Sequence, residues 1–558
     1  MKVLNQNLIN VEVNNQPLQI DQGSTLEDIL KVVPAPLHTP LAAIVNGQIQ
    51  ELTYPIYADS NITWIDTTND IGMRIYKRGL FLVLATAVNN IFPKATLKIE
   101  HSLPHGTYCE IRCEDFRILV EENVNAIKNE MKRIIAENRP IKRQDIFKND
   151  AIKFFQGQGR FENANNIKYK PGDTVSLYSC GTVFDYFYEP VATSTGVLKL
   201  FDLHSYHYGL ILRIPAKNNP NILPTYHAPQ KLSQILYEGE RWGELLEVEN
   251  IAQLNNIIET NQLGEFVQIN EALHERNLYE IAKSISDHND EVKLILIAGP
   301  SSSGKTTFAH RLYIQLRVNG IKPITISLDD YFVDREFTPK DENGGLDFES
   351  INALDLELFN RHLVDLIDGK EVIVPRFDFT TGRRKAEGHK VKLEANQVLI
   401  IEGIHGLNEK LTESIPHSNK RKIYISALTQ LNVDDWTPIS SSDTRLIRRI
   451  YRDIQYRGTS AKQTINRWPS VRKGEAKNIF PFQEEADYMF NSALIYEKAI
   501  LKGLVQPELE KIGPGEPEFL EAQRLIRLLQ FFVPAFPDNV PINSILKEFI
   551  GGSCFRES

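Results

Sequence analysis

The sequence predicts a multidomain chain in which α+β units precede a C-terminal α/β unit built on a doubly wound parallel sheet. Three observations carry this. At 558 residues the chain exceeds what one hydrophobic core supports. The run Gly299-Pro300-Ser301-Ser302-Ser303-Gly304-Lys305-Thr306 fits G-x-x-x-x-G-K-[ST] and stands between an apolar strand pattern and a helical one. Further short apolar runs downstream end in acidic residues, as buried parallel strands do where their carboxyl ends face ligand.

Composition excludes several classes. A content of 42% hydrophobic and 24% charged residues is that of a globular protein with a sizeable core. The net charge of −9 argues against a general nucleic-acid coat. No apolar run has the length of a membrane span, and Met1 to Val13 lack a signal-peptide core, so a cytoplasmic protein without a membrane partner is expected. Cys109, Cys113, Cys180 and Cys554 form no C-x-x-C pair. Reduced thiols are therefore expected, rather than a disulfide framework or a zinc ribbon.

Taken in order, residues 1–66 read as a small mixed unit. Leu18–Ile20, Ala42–Val45 and Ile62–Ile65 are strand patterns, Ser24 and Glu27 have capping-box spacing ahead of a helix, and Asn46-Gly47 is a hairpin turn. The stretch AAIVNGQIQELTYPIYADSNITWID resembles the TGS domain, the ubiquitin-like module at the front of threonyl-tRNA synthetases.

Residues 67–215 continue that resemblance into the synthetase's α+β editing domain, through LATAVNNIFPKATLKIE, VNAIKNEMKRIIAENRPIKRQDI and VATSTGVLKLFDL. The metal- or water-activating His and Cys positions of that family fall here on Arg78, Leu82, Phe187 and Val191. None of these can do that chemistry, so an inactive editing fold is expected. His101 and His105 form an H-x-x-x-H, but Pro104 and Gly106 put them on a strand and turn, where that spacing does not share a face. A retained fold without its catalytic set suggests binding of a tRNA-like shape, of a small ligand, or of the remaining chain.

Residues 216–285 open with a Pro/Asn-rich break and continue as helical pattern, expected to be a connector. Residues 286–505 hold the phosphate loop. Its glycines let backbone N–H groups turn onto phosphate, and the following helix adds its dipole. Gly299 through Thr307 are thus candidates for ATP binding, with GTP the other donor. Lys305 would reach the β/γ-phosphates, and Thr306 would hold Mg²⁺. The strand pattern Pro323–Leu328 ends in Asp329 and Asp330, where a carboxylate can take the proton of a hydroxyl acceptor. Val398–Ile401 ends in Glu402, the expected second partner of Mg²⁺. Strands are also expected at Lys422–Ile425 and Tyr488–Phe490. On a helix, Arg445, Arg448, Arg449 and Arg452 share one stripe, with Arg457 following. Such a stripe is self-repelling unless an anion lies on it; a polyphosphate is one candidate, and acidic residues of the chain are the other.

The ordered segments GPSSSGKTT, ISLDDYFVDRE, NALDLELFNRHL, VIVPRFDFTTGRRK, VLIIEGI and DTRLIRRIYRDIQYRG resemble uridine kinase, which belongs with phosphoribulokinase. The resemblance implies a nucleoside kinase. Asp329 would be its base, with Asp330 in the place of a serine. Phe332, Phe377 and Phe379 would lie near the base of the nucleoside and Glu349 near the ribose, with Asp347 as a substitute. Arg448, Arg452 and Arg457 would lie on phosphates, and Gln463 near the substrate. Where pyrimidine-specific members carry a His, this chain has Gly382; Arg384, and Arg445 from the stripe, are further candidates on the substrate side. Residues 506–558 read as a helical extension whose apolar face packs on the kinase core or on a second subunit.

These patterns give one leading expectation and two others. The first is ATP- and Mg²⁺-dependent phosphorylation of a nucleoside 5′-hydroxyl, uridine or cytidine foremost. The second keeps the kinase with another sugar-alcohol or purine nucleoside acceptor. The third is a tRNA- or ligand-sensing protein with regulatory ATP binding, disfavoured because the front half carries no dominant basic patch.

Overall fold

The computed structural model describes residues 8–34, 36–104, 106–113, 119–226, 229–288, 291–340, 344–378, 381–394 and 396–555. The front unit is one mixed sheet of five strands. In spatial order they are Gln16–Asp21, Leu8–Val13, Ser60–Ile65, Ala42–Val45 and Gln48–Glu51, with Leu8–Val13 and Ser60–Ile65 parallel. Helix Leu26–Val32 packs on it through Leu26 and Ile29. Its capping box is Thr25 with Asp28, one residue later than Ser24 with Glu27. Thr25 is the last extended residue before the helix, whereas the Ser24 hydroxyl donates back to the Asp21 carbonyl. Asn46 and Gly47 both have positive φ, 49° and 80°, the left-handed pair that a two-residue hairpin of this twist requires.

The second unit sets helices Asp70–Ile91 and Glu121–Ala136 against an antiparallel sheet ordered Asp202–Tyr206, Gly209–Arg213, Gly106–Arg112, Thr96–Leu103. A smaller sheet of Lys142–Phe147, Thr174–Cys180 and Val183–Tyr186 carries helices Lys148–Gly157 and Phe161–Tyr169. His101 lies on the edge strand Thr96–Leu103 with its Nδ1 against the Glu240 carboxylate, and His105 lies outside the described residues. Among the described residues no group of His, Cys, Asp and Glu is arranged to hold a metal ion.

Helices Gln230–Leu245, Ile251–Glu259 and Leu263–Ser286 follow. They pack on the units to either side. Val248, Ile251, Leu254, Phe266 and Val267 share one core with Phe155 and Tyr186 of the second unit and with Leu446, Ile450, Leu501, Leu525 and Phe532 of the C-terminal half.

The C-terminal sheet is wholly parallel. Its order is Lys322–Ser327, Gln397–Glu402, Leu294–Ala298, Lys420–Ser426, Tyr488–Asn491. Separate apolar layers cover its faces. Phe308 and Leu312 of helix Lys305–Val318 lie on one, and Phe359, Leu363 and Leu366 of helix Leu356–Ile367 on the other. Sequence order and spatial order differ, so crossovers run both ways from the central strand Leu294–Ala298, and the crevice opens at its carboxyl end. Helix Ser441–Arg457 then leads to Ala461–Asn478 and Glu497–Leu509, the last of which runs through the expected boundary at residue 505. The apolar face of Phe519–Leu529 is covered by the chain's own core. The final helical pattern is realised only as Lys547–Ile550. Among the described residues no helix is long and apolar enough to cross a membrane.

Candidate active site

The phosphate loop is formed by close approach on one side and left-handed backbone on the other. A Cβ on Gly299 would stand 2.0 Å from the Ile425 carbonyl oxygen, so only a glycine lets the loop leave the sheet there. Ser302 and Gly304 have φ of 59° and 87°, which turns the loop back into helix Lys305–Val318. The hydroxyls of Ser302 and Ser303 are buried and bonded to no protein group. Buried orphan donors in a concave loop, at the amino end of a helix, fit the oxygens of a polyphosphate.

The Lys305 ammonium donates to the carbonyls of Gly299 at 2.9 Å and Pro300 at 3.2 Å, so it curls over the loop it serves. Burial pushes its pKa down, against the pull of Glu402 and Glu548. The Thr306 hydroxyl donates to the Glu402 carboxylate at 3.2 and 3.3 Å. Burial raises Glu402 to about 7; Lys305 opposes this, while Glu548 and Asp329 add to it. A hydroxyl and a carboxylate in contact beside the phosphate loop are the hard oxygen donors that suit Mg²⁺.

Sheet register brings the second carboxylate to the same place. Ser327 pairs with Glu402, and the short helical turn Leu328–Tyr331 carries Asp329 and Asp330 just beyond it. Asp329 opens onto solvent inside a crowded cleft. That crowding raises its pKa, with Asp330 adding to the effect and Lys305 and Arg457 opposing it. Asp330 turns the other way and accepts the backbone N–H of Phe377 at 3.3 Å.

Phe332 and Phe377, expected near the acceptor, have ring centroids 5.7 Å apart. Phe379 lies outside the described residues. Gly382 has φ of 70°, and a Cβ there would meet the Arg335 guanidinium at 2.6 Å. Arg335 therefore covers the position where the resemblance places a histidine. Arg384, expected on the substrate side, donates to the carbonyls of Tyr331 and Phe332 and to Asp355, which fastens the hairpin Phe377–Arg384 to the Asp329 turn. Glu349 lies against Gly474, and burial raises its pKa, with Glu475 adding repulsion and Lys305 and Arg449 opposing it. Asp347 faces Lys477 at 3.4 Å. Beneath them His405 is 3% exposed and held neutral, because burial lowers its pKa to about 4.

The arginine stripe is answered largely by the chain's own carboxylates. Arg445 is buried, pairs with Glu475, and donates to the Ser301 carbonyl at 3.1 Å, while Glu475 accepts the Ser301 N–H at 2.9 Å. Arg448 is fully buried between Glu497, the Ser492 carbonyl and the Ser302 carbonyl. Both brace the loop from behind. Arg449, Arg452 and Arg457 converge on Asp453, and Arg449 also donates to the Ser301 hydroxyl at 2.6 Å. Arg452 lies near enough to Lys305, and Arg457 to Asp329, to act on their protonation, which keeps these two beside the cleft. Gln463, expected near the substrate, forms with Ser460 the capping box of helix Ala461–Asn478, on the exposed side.

Glu475, His405 and Glu548 were not singled out in the sequence. His405 had a local signal, three residues past Glu402 at the end of the same strand. Glu475 and Glu548 had none, since each meets the loop across more than a hundred residues of chain.

In the front half, the helix face corresponding to an editing centre is closed. Leu82, Phe187 and Val191 are buried, and Arg78 donates to Glu189 at 2.7 Å and to the Pro190 carbonyl at 2.9 Å. The positions where the resemblance places the editing residues thus carry an apolar wall and a paired guanidinium.

Residues 294–495 match the family described as Phosphoribulokinase / Uridine kinase. A uridine kinase of Ligilactobacillus salivarius is 32% identical over 189 residues, covering 34% of this chain and 79% of that protein. A uridine kinase of Brevibacillus brevis is 30% identical over 195 residues, covering 35% of this chain and 82% of that one. The N-terminal region is similar to a threonine–tRNA ligase of Acetivibrio thermocellus, 29% identical over 189 residues and 34% of this chain. The matched region spans 29% of the length of that ligase. Through the region that builds the phosphate loop, Asp329 and the arginine helix, this chain belongs to the phosphoribulokinase/uridine kinase family.

Proposed function

We propose that this phosphate-loop kinase transfers the γ-phosphoryl group of ATP to the 5′-hydroxyl of a nucleoside, uridine or cytidine foremost, in the cytoplasm. What carries the reading is the meeting of Asp329 with Lys305 and Glu402, an acceptor base beside a phosphate lysine and a metal carboxylate. Asp329 takes the hydroxyl proton as the acceptor oxygen bonds to the γ-phosphorus; the bond to the bridging oxygen breaks, and ADP leaves with that electron pair. A carboxylate whose proton affinity is raised by its cleft is the better base for this step. Lys305, Arg452 and Arg457 lie against the phosphate charge, and Thr306 with Glu402 would hold Mg²⁺. When bound, Mg²⁺ would neutralise charge between the phosphates.

A second acceptor class is favoured by one observation. Gly382 under Arg335 removes a hydrogen-bonding side chain and replaces it with a cation, which suits a purine nucleoside or another sugar alcohol equally well. In this reading the TGS-like and editing-like units act as scaffold, and tRNA binding is the less favoured alternative.

Turnover of ATP against a panel of ribonucleosides, deoxyribonucleosides and sugar alcohols tests the acceptor. Phosphorylation of sugar alcohols alone would end the nucleoside reading. Asp329→Asn is expected to lower kcat by about a hundred- to ten-thousand-fold with nucleotide affinity retained. Undiminished turnover in that variant would remove Asp329 as the base.

A further inference from the structure

Past residue 495, where the family match ends, the chain sends its last helix back to the phosphate loop. Ile545 lies so close to Gly304 that a Cβ on that glycine would stand 2.5 Å from its methyl carbon. The Phe549 ring lies 4.9 Å from the Arg448 guanidinium, and Phe555 stacks on His310 of the loop's helix at 5.3 Å. Between these anchors, Glu548 accepts the backbone N–H of Thr307 at 3.1 Å.

Thr307 sits in the first turn of helix Lys305–Val318, where amide hydrogens have no partner within the helix and anions are held. The adjacent orphan hydroxyls of Ser302 and Ser303 mark the same concavity as a phosphate seat. Glu548 therefore sets a carboxylate where a nucleotide would place a phosphate oxygen, and its charge is felt at Lys305, Glu402 and His310.

We propose that Glu548 is a donor-site residue that competes with the nucleotide's phosphates for the Thr307 amide, so that nucleotide affinity is set by the C-terminal segment. This rests on the donor-site reading given above. A polyphosphate entering the loop meets a like charge fixed on the helix terminus, and either displaces it or binds against its field. Glutamine at this position keeps an acceptor for the amide and removes only the charge.

The test is calorimetric titration of the full chain with ATP, ADP, AMP and adenosine in EDTA, which keeps divalent metal out of the comparison. Glu548→Gln is expected to bind ATP on the order of tenfold more tightly than the unchanged chain. The gain should decline from ATP through ADP to AMP, vanish for adenosine, and shrink as ionic strength rises. Thermal melts confirm that the variant is folded, and Glu548→Ala supplies a second neutral side chain if it is not. Equal affinities would reduce Glu548 to a helix cap, and weaker binding would make it an aid to the nucleotide; either overturns the proposal. Failure of both the unchanged chain and Glu548→Gln to bind ATP would remove the donor-site reading together with it.

Discussion

His405 shows how one buried side chain couples the acceptor wall to pH. Its pKa in the folded chain is about 4, below the ordinary 6.5, because burial opposes the charged ring. Between those values the unfolded chain takes a proton that the folded chain refuses, so stability is lost as pH falls through that window. The loss attributable to His405 between pH 7 and pH 5 is about 2 kcal/mol. Urea unfolding at the two pH values should therefore show a smaller difference in His405→Gln than in the unchanged chain; equal differences would mean that the ring is not held neutral. The same scale shows what sequence could and could not convey. Lys305, Thr306, Asp329 and Glu402 were legible because strand ends and a glycine loop fix them within a few residues. The capping role of Gln463 and the loop-fastening role of Arg384 were not legible, since their types suit substrate contact and local capping or loop fastening equally.

At the scale of elements, helix Ser441–Arg457 is a brace before it is a clamp. One end holds Ser301 and Ser302 by their carbonyls through Arg445 and Arg448, and the other gathers Arg452 and Arg457 on Asp453 beside the cleft. The spacing of arginines revealed a charged stripe but not its partners, because Glu475 and Glu497 lie on later helices. Removing Arg448 strands the Glu497 carboxylate in the core. Arg448→Ala is expected to cost about 3–5 kcal/mol of unfolding free energy, and Arg448→Lys less, because it keeps the charge but not the planar fork. Denaturant titration measures this. A loss of ATP affinity with stability intact would instead mean that Arg448 contacts the nucleotide. The parallel strands were read almost to their ends where the apolar run is unbroken, as in Leu294–Ala298 and the centre of Gln397–Glu402, whereas the lysines that open Lys420–Ser426 hid its start.

Across the whole molecule, the expected boundaries hide how much core is shared. Tyr186 and Phe155 of the second unit, Phe266 of the third, and Ile450 and Leu525 of the last half bury one another. Pattern analysis sees which face of a helix is apolar but not what covers it, so units read in order along the chain looked separable. Residues 286–505 expressed alone would expose that interface to water. The fragment is expected to show no cooperative thermal transition, where the full chain shows one; a cooperative melt of the fragment would mean that the shared core is dispensable.

The hairpin Asn432–Asp434 to Thr437–Pro438 has a consequence in time. It closes the open edge of strand Thr96–Leu103, with Ile99 donating its N–H to the Asp435 carbonyl and the Trp436 indole donating to the Leu97 carbonyl. Those partners are separated by more than 330 residues of chain. At about 5–20 residues per second of synthesis, that edge waits on the ribosome for tens of seconds before its cover is made. The front half thus emerges first and is finished last, and the nascent chain must keep a bare strand from pairing with its neighbours until the arginine helix is about to be translated.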